Sequence, residues 1–219
     1  MLFATISNTA HYMISGVSNY YFKSVTGVWG HQSIFFTLGA VGSALGLVVI
    51  PVMSKLGFTN RTTYKVSLSI AAAGFIGMAV VGYCFGGNVF ALGVCYMIAS
   101  IGTGSMFVNQ TVMLSDIVDY GEYKMGSRNQ GLTFSMKGFL QKMAYTIQSI
   151  IMYACFSATK YDGTAAVQTQ ASKSAISALM FIVPPTLIII SLVIFSKKYK
   201  IYGEFKQEVL NTVTKKHEA

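Results

Sequence analysis

Apolar residues in this chain come in runs of roughly twenty, separated by short polar breaks, and no stretch alternates with a period of two for long. A helix that crosses a bilayer needs about 20 mostly apolar residues. Six stretches meet that requirement: 1–22, 34–53, 66–85, 89–114, 132–156 and 175–195. Backbone groups in hydrocarbon must find partners inside their own segment, and the missing period-two pattern argues against a barrel, so the stretches are read as helices.

The runs differ in kind. The first is the least apolar: Asn8, Tyr12, Ser15 and Asn19 recur at three- and four-residue steps and share one face. Such a stripe avoids lipid, and serves either helix–helix hydrogen bonding or the lining of a polar cavity. His11 lies off the centre of the stripe and reads as a packing residue rather than a proton relay. The second run carries Gly39, Gly42 and Gly46, a spacing that lets backbones approach, and Pro51 is expected to kink or close it. Gly86-Gly87-Asn88 marks a tight turn that makes a hairpin of runs three and four. Gly102-Thr103-Gly104-Ser105 lacks the preceding strand and following lysine of a phosphate loop and is assigned to close helix packing. Phe107, on the same run, either stacks on a sugar ring or fills the core. Pro184-Pro185 interrupts the sixth run near its middle.

Composition agrees with the pattern. The 219 residues are 53% hydrophobic and 11% charged, with a mean hydropathy of +0.54, whereas a soluble domain carries about 25% charge. The chain therefore reads as an all-α integral membrane protein. Its net charge of +9 forms no basic stripe with interleaved aromatics, so nucleic acid is not expected as a partner. With the N-terminus cytoplasmic, eleven Lys and Arg residues fall on the inner side, among them Lys55, Arg61, Lys65, Lys124, Arg128 and six in the tail. Only Lys23, Lys160 and Lys173 fall outside, which places both termini in the cytoplasm. The N-terminus shows no basic leader and no cleavage signal before Tyr20, so no signal peptide is expected. Residues 1–196 form the helical bundle, and 197–219 a basic amphipathic tail on the inner leaflet. Cys84, Cys95 and Cys155 make no C-x-x-C pair and are expected to be packed, reduced thiols.

The chemistry concentrates between Met113 and Lys142. Asp116, Asp119, Glu122, Lys124 and Arg128 form a polar hinge between two apolar runs. The three acids step by three and share a helical face, but no His, Cys or further oxygen completes a metal site, so they are expected to pair with basic residues such as Arg128 across the inner mouth. Lys142 lies about 15 Å into the fifth run, near the midplane, where a charge costs about 2.5–3.5 kcal/mol. Lys137 and Gln141, with Gly138 and Lys142 beside them, make a polar arc of about 140° that Tyr145, Gln148 and Ser149 continue. None of the six runs contains an Asp or Glu before Ser115, so a counter-charge for Lys142 must come from outside them.

SNYYFK at 18–23, the basic loop after Pro51, and MLSDIVDYGEYKMGSRNQGLTFSMKGFLQK at 113–142 resemble the glycoside–pentoside–hexuronide:cation symporters of the major facilitator superfamily, melibiose permease-like. The resemblance implies the C-terminal six-helix bundle, helices seven to twelve of twelve, of a sugar carrier in the cell membrane that is not an enzyme. It implies substrate-lining roles for Lys142, Gln141, Gly138, Lys137 and Phe107. Asp116, Asp119, Glu122 and Arg128 match a charged cytoplasmic gate. The coupling Na+ or H+ would be held by carboxylates of an N-terminal half absent here; that half, a sugar and the bilayer are the implied partners. Lys137 and Gly138 depart from the Gln and Thr of the melibiose carrier, which puts galactoside specificity in doubt. The alternative is a self-standing six-helix scaffold or channel that assembles with itself.

Overall fold

A computed structural model of the chain describes residues 2–85, 88–126, 130–165, 167–199 and the positions 209 and 212. Among these residues all extended regular structure is helical: α1 (Leu2–Ser24), α2 (His31–Lys55), α3 (Asn60–Cys84), α4 (Val89–Met125), α5 (Gln130–Ala158), α6 (Gln170–Phe181) and α7 (Val183–Lys198). Local chemistry sets the ends. Thr59 and Thr169 cap α3 and α6 by accepting from the backbone N–H of Thr62 and Ser172. Asn88 caps α4 through the N–H groups of Phe90 and Ala91. Gly126 stops α4, in the left-handed conformation (φ 75°) that glycine adopts without strain.

Four segments are long and apolar enough to cross a membrane: α2, α3, α4, and α6 with α7 taken together over Gln170–Lys198. This corrects the six-span expectation in part. α1 has 23 residues and α5 has 29, so both have the length, but both fall short in apolarity. The reason lies in their side chains: α1 buries Thr5, Ser7, Asn8 and Thr9, and α5 carries Lys137, Gln141, Lys142 and Gln148.

Helix α4 stands at the centre. α2 lies against one side of it and α3 against the other, and glycine makes both contacts possible. A Cβ on Gly42 would come within 2.2 Å of the Met97 carbonyl oxygen, and one on Gly46 within 2.5 Å of that of Ile101. From the α4 side, Gly102 presses on the Ala71 backbone nitrogen at 2.3 Å and Gly104 on the Ser43 carbonyl at 2.6 Å. The Gly-Thr-Gly-Ser run is thus a packing element. α1 crosses the other flank against α5, α6 and α7, and aromatic rings fill the joints. Phe35 stacks on Tyr96 at 4.3 Å and meets Phe22 edge-on at 5.4 Å, joining α1, α2 and α4. Phe3, Tyr64 and Phe195 join α1, α3 and α7.

Several boundaries differ from the sequence reading. The polar stretch after Leu114 is no hinge: α4 runs unbroken for 37 residues to Met125, about 55 Å at 1.5 Å per residue. That exceeds a hydrocarbon core of about 30 Å, and the acids occupy its last turns because carboxylates there reach water. Pro51 does not close α2, which continues to Lys55; a proline so near a helix end forfeits little of the ladder. Pro184 and Pro185 do interrupt the last run, starting α7 after a break at Ile182. Cys84 is exposed rather than packed, because it falls at the outer end of α3, while Cys95 and Cys155 are half-buried free thiols. Gly86, Gly87 and the tail beyond Tyr199, apart from positions 209 and 212, lie outside the described residues.

Gly42→Ala is expected to destabilise the protein by about 1–3 kcal/mol, because its methyl group meets backbone that cannot rotate away. Gly138→Ala, where nothing lies within 4 Å, should be neutral or slightly stabilising by removing a glycine from a helix. Unfolding titrations of both variants in mixed detergent micelles measure the difference.

Candidate functional site

Three helices converge on one polar and aromatic concavity: α1 with His11 and Tyr12, α4 with Phe107 and Thr111, and α5 with Lys137 to Tyr145. On α4, Phe107 and Thr111 are one turn apart, and the Thr111 hydroxyl donates to the Phe107 carbonyl at 3.2 Å. The half-buried Phe107 ring meets the His11 ring edge-on at 5.1 Å and lies 6.4 Å from Tyr12. Tyr12 in turn meets Tyr145 of α5 edge-on at 5.7 Å. An aromatic wall therefore spans all three helices. His11 belongs to it as a packed ring whose buried Nδ1 finds no hydrogen-bond partner.

On α5 the predicted arc divides into two rows. Lys137, Gln141, Ala144 and Gln148 face inward. The Lys137 ammonium donates to the Thr111 hydroxyl, and Lys137 and Gln141 line a small crevice with Asn8, Gln110, Ile117 and Leu140. Further along, the Thr9 hydroxyl donates to the Ala144 carbonyl at 3.3 Å, and Gln148 is buried against Gly16, where a Cβ would meet its Nε2 at 2.4 Å. Gly138, Lys142 and Tyr145 form the second row, on the open side. No atom lies near the missing Gly138 side chain, and Lys142 and Tyr145 are exposed. Within this chain Lys142 is therefore not enclosed, whereas Lys137 is half-buried and hydrogen-bonded. Among the described residues neither ammonium meets a carboxylate; Thr111 is the polar partner of Lys137, and the acids of α4 begin only at Asp116.

The predicted gate residues lie at the inner end. Asp116 is buried and accepts from the Asn60 carboxamide at 3.3 Å. Asn109 donates to the Asn60 carbonyl at 3.0 Å, and Arg61 to the Ser196 carbonyl at 3.1 Å. This knot ties the start of α3 to α4 and the end of α7. Tyr199 closes it: burial pushes its hydroxyl well above the usual range, the Asp116 charge pushes the same way, and Arg61 opposes them. Asp119 is half-buried and Glu122 buried on the same helix. Arg128 lies outside the described residues. Among the described residues no cluster of three His, Cys, Asp or Glu side chains is placed to hold a metal ion.

Sequence reading missed the most buried polar group of the site. The Gln110 carboxamide donates to Asn8 Oδ1 at 3.2 Å and to the Tyr64 hydroxyl at 3.1 Å, and Ser7 sits 3.3 Å from that hydroxyl. Asn8, at the head of the α1 stripe, thus serves helix–helix hydrogen bonding, while Tyr12 of the same stripe faces the concavity. The available signal was the polar pair Asn109-Gln110 inside an apolar run. SNYYFK contributes no cavity residue. Asn19 accepts from Gln32, and Tyr20 packs edge-on against Phe156 at 4.7 Å, fastening the outer end of α1.

Over residues 1–202 the chain matches the family of MFS/sugar transport proteins. The chain belongs to that family. Among its relatives, an uncharacterised symporter of Bacillus subtilis (strain 168) is 25% identical across 83% of this chain and 38% of its own length. The lactose permease of Lactobacillus helveticus is 23% identical across 92% of this chain and 31% of its own. A putative sulfoquinovose importer of Escherichia coli (strain K12) is 28% identical across 72% and 32%. The chain spans about a third of the length of the curated relatives it matches. Membership, together with the apolar helices, makes it a multi-pass membrane protein of a transporter family rather than of an enzyme family.

Gln110→Leu is expected to destabilise this MFS/sugar transport protein by about 1–3 kcal/mol, because Asn8 Oδ1 and the Tyr64 hydroxyl lose a buried partner. Adding Asn8→Leu should recover part of the loss, since two apolar groups no longer leave an orphan. A double-mutant cycle on unfolding free energies reads the coupling.

Proposed function

We propose that this chain is the C-terminal six-helix half of a sugar:cation symporter that works by alternating access, two bundles rocking about a site near the midplane. The observation that carries the reading is the concavity on α1, α4 and α5. Aromatic rings there suit the apolar faces of a sugar, and Lys137, Gln141 and Lys142 offer donors to its oxygens. The concavity opens to one side only, as half of a site does, and relatives about three times as long are named permeases and importers of sugars.

In this reading α1 and α5 also cross the membrane, their polar faces turned from lipid toward neighbouring helices. Na+ or H+ binds to carboxylates of the complementary half, and Lys142 couples sugar to cation by balancing those charges. The knot of Asn60, Arg61 and Asp116, with Asp119, Glu122 and Arg128, closes the inner mouth. Both termini lie in the cytoplasm, as the distribution of Lys and Arg favours.

Two measurements test this. With the complementary half present, Lys142→Ala should abolish cation-driven sugar accumulation while the protein still inserts; unaltered coupled uptake would remove Lys142 from the mechanism. Conduction by this chain reconstituted alone would instead favour a self-assembling channel. For the topology, Cys84 is the reporter: with Cys95 and Cys155 replaced by alanine, a membrane-impermeant maleimide added to intact cells should label it, since the outer end of α3 lies outside. Labelling only after the cells are opened would reverse the orientation.

A further inference from the structure

The wall of the concavity carries two positive charges and no negative one. α1, α5 and the 89–115 part of α4 contain no Asp or Glu. Lys137 and Lys142 lie five residues apart on α5, about 7.5 Å along its axis. Lys142 stands on the open row, where carboxylates of the complementary half can reach it. Lys137 does not. It is half-buried in a crevice made by this chain's own helices, between Asn8, Gln110, Leu140 and Gln141. Its partner, Thr111, is a neutral hydroxyl that can orient an ammonium but cannot neutralise it. One charge thus remains over after Lys142 is satisfied, and a charge in a low-dielectric setting calls for a counter-charge.

Three features of the surroundings say what supplies it. The open space at Gly138 lies next to Lys137 in sequence and one turn from Lys142 and Gln141, so a ligand can enter between the ammonium groups. The rings of Tyr12, Phe107 and Tyr145 provide faces for a pyranose. The carboxamide of Gln141 lines the same crevice as Lys137 and can bind hydroxyls beside an acid group. We infer that the substrate is an acidic sugar, a hexose unit bearing one carboxylate or sulfonate, and that the Lys137 ammonium, presented by Thr111, binds that anionic group. This inference rests on the carrier reading above and narrows it to a charge class. Thr111 acts here as a positioning residue.

The test uses the complete carrier, this chain with its complementary half, in proteoliposomes. Uptake is compared for methyl β-glucoside, methyl β-glucuronide and a 6-sulfonated glucoside. The carboxylate and sulfonate arms distinguish the two sources of negative charge. The expected result is preference for at least one acidic sugar over the glucoside. Lys137→Gln should lower uptake of that acidic sugar roughly ten- to a hundredfold, the scale of one lost hydrogen bond between charged groups. Lys137→Arg should restore much of the preference because it keeps the charge. Competition on the unmodified carrier needs no variant: the acidic sugar should displace a labelled substrate at lower concentration than its neutral counterpart. Neutral sugars taken up in preference, with acidic sugars failing to compete, would overturn the charge assignment and leave the carrier reading standing. Correctly inserted carrier that accumulates no sugar of either class would overturn both.

Discussion

Everything in this fold depends on how closely α4 can be approached. Helices in lipid gain nothing from hiding apolar surface, since the tails around them are as apolar as leucine, so they associate through van der Waals fit and hydrogen bonds. Here the fit is backbone on backbone: Gly42 and Gly46 of α2 lie on the carbonyls of Met97 and Ile101, and Gly102 of α4 lies on Ala71 of α3. No side chain remains in those contacts to adjust. α4 is therefore fixed along its outer and middle turns, and Phe107, Gln110 and Thr111 project from a support that does not yield.

The opposite flank is built on a different principle. α1 is too polar to be held by fit alone, and it is fastened by hydrogen bonds: Asn8 and Ser7 to Gln110 and Tyr64, Thr9 to the backbone of α5. The Ser191 hydroxyl of α7 adds a bond to the Phe3 carbonyl at 2.8 Å. In a dry interior such bonds fix register, because a slip of one residue leaves a carboxamide unpaired. The concavity lies where the two regimes meet, with rigid packing behind it on α4 and a polar seam at its edge on α1.

Much of this was legible in the sequence. Helical character followed from run length, and the glycine contacts followed from small-residue spacing, because both are local properties of a helix surface. The break at Ile182 followed from two prolines. Other features were not local. A window of twenty residues cannot distinguish a helix end from a helix that leaves the membrane and continues, so Asp116 to Glu122 read as a hinge and proved to be the last turns of α4. The inward turn of Lys137, and not of Lys142, depends on Thr111, a hydroxyl twenty-six residues away. Periodicity placed both lysines on one arc, but only the position of α5 against α1 determines which edge of that arc is covered. Gln110 was overlooked for the same reason: its partners Asn8 and Tyr64 lie on two other helices.

The position of α5 itself bears on the architecture. Only Ala144, Gln148, Met152 and Phe156 of its residues are buried, all on the side toward α1. The uncovered surface is of two kinds. Phe139, Met143, Ile147 and Ile150 are apolar and exposed, suited to lipid. Lys142, Tyr145 and Thr146 are exposed as well, yet a lysine so far along an apolar helix cannot rest against hydrocarbon without a penalty of some kcal/mol. A helix with one face for its own bundle, one for lipid and one that suits neither is a helix at a boundary between bundles. That argument uses only burial and charge. It reaches, independently of any relative, the conclusion that the polar face of α5 is completed by helices outside the described chain.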